Sequence, residues 1–154
     1  MNLEKLTILL ADDDKDDCLF FEEAIAELEQ PANFTAVHDG EQLMQLLSNK
    51  TNKLPDVLFL DLNMPRKNGF ECLEEIKKNK KLTALPVVVF STSFEQEVVN
   101  RLYDTGAKYF IRKPSEFSLY KKIILHTLTL IRQNNISQIT KDNFVLTVEN
   151  SLDT

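Results

Sequence analysis

Three short apolar runs, "LTILLA" (6–11), "DVLFL" (56–60) and "PVVVF" (86–90), constrain this chain more than any other feature. Each is nearly continuous rather than alternating, as in strands covered on both faces of a parallel sheet. Each then breaks off at acids or hydroxyls: Asp12 and Asp13, Asp61, Ser91 and Thr92. "FTAV" (34–37) and "AKYFI" (107–111) are weaker strand candidates near the sheet edges. Helical apolar spacing fills the gaps. It falls at Leu19, Phe20, Ala24, Ile25 and Leu28, then in 41–47, 70–76, 95–105 and 116–131. The alternation predicts an α/β fold of five βα units, a doubly wound parallel sheet with helices on both faces and right-handed crossovers. The three glycines, Gly40, Gly69 and Gly106, stand at element boundaries, where a positive φ is useful.

At 154 residues the chain has single-domain length. Its net charge of 18 − 24 = −6, without a basic patch, argues against direct DNA binding. Two cysteines, Cys18 and Cys72, form no ligand motif and read as reduced packing residues. The opening "MNLEKLTILLADDD" lacks the long apolar core of a signal peptide. No apolar run approaches the ~18 residues needed to span a bilayer. A cytoplasmic location without membrane partners is the expectation. Residues 133–154 lie beyond the last helix, and "FVLTV" within them is either a short docked strand or part of a frayed tail.

In an open parallel sheet, ligands bind outside the carboxyl ends of the strands. That edge should collect Asp12, Asp13, Asp61 and Ser91, with Lys113 from "YFIRKP" beside them. Crowded carboxylates repel, and one would take up a proton unless a cation compensates. Mg²⁺ suits such oxygen ligands and leaves room for a phosphate oxygen. A lysine adds a point charge suited to phosphate. The set points to phosphoryl transfer onto a carboxylate. Asp14, Asp16 and Asp17 read as helix-start acids. His38 and His126 stand without partners in the sequence, and "KKNKK" (77–81) reads as a solvated helix end.

Four motifs in register then resemble the receiver domains of two-component response regulators, the chemotaxis-regulator-like family. They are the acidic pair after the first run, "DLNMPRKNG" after the third strand, a hydroxyl after the fourth and "KP" after the fifth. The intervals from Asp61 to Ser91 and from Ser91 to Lys113 reinforce the match, which covers about residues 5 to 132. The resemblance implies a flavodoxin-like five-stranded sheet of order 2-1-3-4-5. It makes Asp61 the phosphoacceptor, with Ser91 and Lys113 on phosphoryl oxygens. Asp12, Asp13, Asp61 and the Asn63 backbone carbonyl would hold Mg²⁺, or Mn²⁺ in its place. Asn63 and Ser93 would tune hydrolysis, and Ser91 and Phe110 would form the switch.

Such a chain catalyses its own phosphorylation and dephosphorylation without being a turnover enzyme on a small substrate. The implied partners are a sensor histidine kinase or histidine phosphotransfer protein, docking near Cys18, Leu19, Glu22, Pro114 and Ser115. A downstream protein target is also implied, and self-association into a homodimer is left open. The segment after the last helix is too short for a DNA-binding output module. Rival readings fit less well. A haloacid-dehalogenase-like phosphatase needs an acid where Asn63 stands. A flavin binder needs a glycine- and hydroxyl-rich loop where the aspartates stand. A phosphorylation-independent interaction module on the same fold is the alternative. Its usual sign is loss of the acceptor, an acid or the lysine, and all are retained.

Overall fold

The computed structural model describes residues 5–28, 32–49, 51, 53–92, 95–133 and 141–147. Six strands alternate with helices in the order β1 (Leu6–Ala11), α1 (Lys15–Ala26), β2 (Ala32–Val37), α2 (Gly40–Ser48), β3 (Val57–Asp61), α3 (Gly69–Lys78), β4 (Val87–Ser91), α4 (Gln96–Thr105), β5 (Tyr109–Arg112), α5 (Phe117–Arg132), α6 (Lys141–Phe144) and β6 (Val145–Leu146). The sheet is parallel throughout, in the order β2-β1-β3-β4-β5-β6. The expected five-stranded order is present, and β6 adds a short sixth strand from within "FVLTV". It pairs Phe110 with Val145 and Ile111 with Leu146.

The central runs are buried on both faces because strand side chains alternate sides. Leu9, Ala11, Leu58, Leu60, Val87, Val89 and Phe110 pack with residues of α2, α3 and α4. Ile8, Leu10, Val57, Phe59, Val88, Phe90, Tyr109 and Ile111 pack with α1 and α5. Phe144 of α6 belongs to the first face, where its ring meets Tyr103 edge-on at 5.3 Å between centroids. Cys18 and Cys72 are free and buried, as packing residues should be.

The inward stripe of α1 departs from the sequence reading. Cys18, Phe21, Ala24 and Ile25 are buried, whereas Leu19 is 57% and Phe20 38% exposed. Apolar character alone did not distinguish 19 and 20 from 18 and 21. The sheet selects one face of the helix, and the two outer residues remain at the surface. Lys77 differs too. It donates to the carbonyls of Thr83 and Leu85 rather than extending into solvent, and burial lowers its pKa.

Among the described glycines only Gly106 has a positive φ, 107°, as the cap of α4. Gly69 is there for space, since its amide donates to the Leu62 carbonyl at 2.9 Å. A Cβ at Gly69 would lie 2.5 Å from the Asp61 carbonyl oxygen and 2.8 Å from Leu62 Cα. These are backbone atoms and cannot swing aside. Gly69→Ala is therefore expected to cost about 1–3 kcal/mol by overpacking. A chemical denaturation curve would show this as a lower midpoint at unchanged slope.

Candidate functional site

The carboxyl edge of the sheet positions the acids. β1 ends at Ala11, and the Asp12 amide extends the pairing by donating to the Val37 carbonyl at 3.0 Å. The chain then turns into α1, where Asp14 is the N-cap and accepts from the amides of Asp16 at 2.9 Å and Asp17 at 3.3 Å. The Asp14 amide donates to Asp12 Oδ1 at 2.9 Å, which fixes that carboxylate. Asp61 is the last residue of β3, and its Oδ1 accepts from the Asn63 amide at 3.2 Å.

The structure brings Asp12, Asp13 and Asp61 together, with one carboxylate oxygen of each within 4.8 Å of the others. Asp12 is fully buried and Asp61 is 5% exposed, while Asp13 faces solvent. Ser91 ends β4, is buried, and accepts from the Lys113 amide through its carbonyl at 2.9 Å. With Asn63, Met64, Phe70 and Val98 it lines a cavity of about 430 Å³ between the ends of β3 and β4. Phe110 is fully buried and paired with Val89. Ser93 lies outside the described residues.

Lys113 enters the cluster from the end of β5, with its Nζ 3.2 Å from Asp12 Oδ2 and 3.9 Å from Asp61 Oδ2. Its shortest contact, 2.7 Å, is to Asp17 Oδ2. The helix-start reading holds, with Asp14 as the N-cap and Asp16 and Asp17 in the first turn, but Asp17 also pairs with the lysine, which that reading did not include. Asp17 stands four residues before Phe21 on the buried stripe of α1. Its side chain is 25% exposed at the border of that stripe, and the place one turn before Phe21 was the signal available in the sequence. His38 also has neighbours at this edge: its Nδ1 lies 3.2 Å from the Asp12 carbonyl oxygen. His126 sits on α5, where burial lowers its pKa.

Electrostatics set the site's demand for a cation. Burial pushes Asp12 up to about 7, outweighing the Lys113 charge and the Asp14 amide. Asp61 is raised for the same reason, against Lys113 and the Asn63 amide. Burial opposes charge on Lys113, but Asp12, Asp61 and Asp17 together keep its pKa above the ordinary value. With Asp13 the acids at this edge number four, and one ammonium cannot neutralise them. The cluster fits a hard divalent cation with oxygen ligands.

The sign of the pH dependence follows. Asp12 binds its proton more tightly folded than unfolded, so its stabilising share is full below about pH 4 and lost as pH rises through about 7. A divalent cation must displace that proton. Its affinity is expected to rise up to about tenfold per pH unit below pH 7 and flatten above it. Calorimetric Mg²⁺ titrations at several pH values check this.

A doubly wound parallel sheet with an acid trio and a lysine at its carboxyl edge defines a class of α/β domain with a charged site at that edge. The chain belongs to the response regulator receiver domain family, which matches residues 8–124. It is 32% identical over 110 residues to the response regulator Rcp1 of Synechocystis sp., covering 69% of this chain and 75% of that protein. It is 28% identical over 120 residues to the probable methanogenesis regulatory protein FilR2 of Methanothrix harundinacea, covering 76% and 77%. The crystal structure of the phosphorylated cyanobacterial phytochrome response regulator RcpA aligns with a TM-score of 0.81 at 32% identity, covering 86% of this chain and 97% of that one. The Mn²⁺-bound form of Rcp1 aligns with a TM-score of 0.76 at 26% identity, covering 88% and 99%. Among the described residues, no helix is long and apolar enough to cross a membrane.

Proposed function

We propose that the protein accepts a phosphoryl group on Asp61 from the phosphohistidine of a sensor histidine kinase or histidine phosphotransfer protein. The observation that carries this reading is the convergence of Asp12, Asp13 and Asp61 within 4.8 Å, with Lys113 Nζ 3.9 Å from Asp61. A carboxylate oxygen of Asp61 forms a bond to phosphorus as the P–N bond to the imidazole breaks. The electron pair of that bond leaves with the imidazole nitrogen. Water later attacks the phosphorus and restores the carboxylate. Two anions must meet for the first step, and positive charge at the edge lowers that barrier.

Asp12, Asp13, Asp61 and the Asn63 carbonyl would hold Mg²⁺ or Mn²⁺, which would supply charge for the incoming phosphoryl group. Lys113 supplies a second positive centre and Ser91 a hydroxyl at the same edge. Asn63 and Ser93 flank the acceptor and would set the pace of hydrolysis. The relatives support this reading, one being described as phosphorylated and another as Mn²⁺-bound.

Kinase docking would use the outer side of α1 and the turn after β5. Leu19 and Phe20 are exposed there, and the Phe20 ring lies 4.8 Å from that of Phe117. Glu22, Pro114 and Ser115 complete the patch, while Cys18 is buried and is removed from it. Output would pass through Ser91 and Phe110 to a downstream protein or a second copy of the chain, in the cytoplasm.

Intact mass after incubation with Mg²⁺ and acetyl phosphate tests the proposal. The expected result is a gain of one phosphoryl group that requires the metal and is removed by hydroxylamine. No gain by a chain that binds Mg²⁺ would sink it and favour a phosphorylation-independent interaction module.

A further inference from the structure

Lys113 does not make its closest contact with the acceptor. Its Nζ is 2.7 Å from Asp17, 3.2 Å from Asp12 and 3.9 Å from Asp61. Asp17 stands in the first turn of α1, but its side chain is neither the helix cap nor part of the acid trio. Asp14 already caps the first turn through the amides of Asp16 and Asp17, and the trio is Asp12, Asp13 and Asp61. The root of the lysine is fixed by the hydrogen bond that its backbone amide donates to the Ser91 carbonyl, and the Phe90 ring lies 4.5 Å from its ammonium. Only the end of the flexible arm can choose between carboxylates, and it carries three donors to share among them.

We infer that Asp17 is a positioning residue that parks the Lys113 ammonium at the edge of the acidic site, short of where a phosphoryl oxygen on Asp61 would sit. The inference rests on the reading of Asp61 as acceptor and adds a competition to it. Parked on Asp17, the ammonium leaves more of the oxygens of Asp61 open to a metal. When a phosphoryl group arrives, Lys113 must exchange Asp17 for a phosphoryl oxygen. Asp17 therefore opposes the phosphorylated state and limits how much of it accumulates. A cavity of about 240 Å³ lined by Asp17, Phe20, Thr92, Lys113 and Tyr120 lies on the Asp17 side of the ammonium.

The test is the Kd for beryllofluoride, a phosphoryl mimic, measured on the full chain with Mg²⁺ by amide NMR. Asp17→Asn is expected to bind about five- to tenfold tighter than the unsubstituted chain. Asp16→Asn removes the same charge one residue away without touching Lys113 and should stay within about twofold. In a Lys113→Met background the gain from Asp17→Asn should vanish, which a purely structural role would not produce.

Unchanged or weaker binding by Asp17→Asn, an equal gain in Asp16→Asn, or a gain that survives without Lys113 overturns the inference. The comparison of Asp17→Asn with Asp16→Asn stands even where Lys113→Met does not fold. A chain that binds no beryllofluoride in any form overturns the acceptor reading instead. The Asp17–Lys113 contact is then read from a metal-free thermal-stability cycle of the same substitutions, or of Asp17→Asn with Lys113→Arg. Zero coupling there overturns the inference.

Discussion

Asp61→Asn is expected to abolish phosphoryl uptake and, at the same time, to raise the melting temperature of the metal-free protein. Asparagine is close in shape and keeps an oxygen for the Asn63 amide, which donates to Asp61 Oδ1 at 3.2 Å. It removes a charge that burial disfavours and that stands against Asp13. The amide oxygen is a poor nucleophile and cannot form the acyl phosphate. Opposite movements of function and stability separate this substitution from simple misfolding. Mass spectrometry and thermal melts in EDTA check both. Loss of uptake with a lower melting temperature would mean that Asp61 supports the fold rather than burdening it.

Lys113→Met should do the reverse to stability. The lysine side chain is 9% exposed and is the cation among Asp12, Asp17 and Asp61. Removing one partner of a buried ion pair costs about 3–5 kcal/mol. For a chain of this size that lowers Tm by roughly 10 °C. Part of the loss should return with Mg²⁺, which replaces the missing charge. Part should also return as pH falls, because Asp12, already raised to about 7 beside Lys113 and higher still once that charge is gone, takes up a proton and no longer needs a counter-charge. Circular-dichroism melts at two pH values, with and without Mg²⁺, read all three effects. A loss that neither metal nor acid restores would place the role of Lys113 in packing rather than charge.

The parallel sheet was legible because its three central strands are apolar on both faces, and no other element produces that pattern so compactly. The edges were harder. β2 begins two residues before "FTAV" because its exposed positions carry Asn33 and Thr35, which break the apolar run. β5 begins two residues after Ala107, since Gly106 and Ala107 still bond back to the end of α4 through the carbonyl of Leu102. β6 is two residues long and stands on a tertiary contact, Phe144 against Tyr103, that no local pattern announces.

At the site, Asp12, Asp13, Asp61, Ser91 and Lys113 could be placed at one edge because each closes a strand or follows one directly. Asp17 could not, because it is one of five acids at the start of α1 and only the direction of its helix face separates it from Asp16. The glycines carry a similar lesson. Gly69 was read as a conformational residue, but it is required by the Asp61 and Leu62 backbone against which it packs.

The most direct measurement is borohydride reduction of the chain after Mg²⁺ and acetyl phosphate treatment, followed by peptide sequencing in a mass spectrometer. Hydride converts an aspartyl phosphate to homoserine and leaves free carboxylates untouched. Homoserine at position 61 alone would establish the acceptor. Homoserine at Asp12, Asp13 or Asp17, or at no position in a chain that had gained a phosphoryl group, would contradict it.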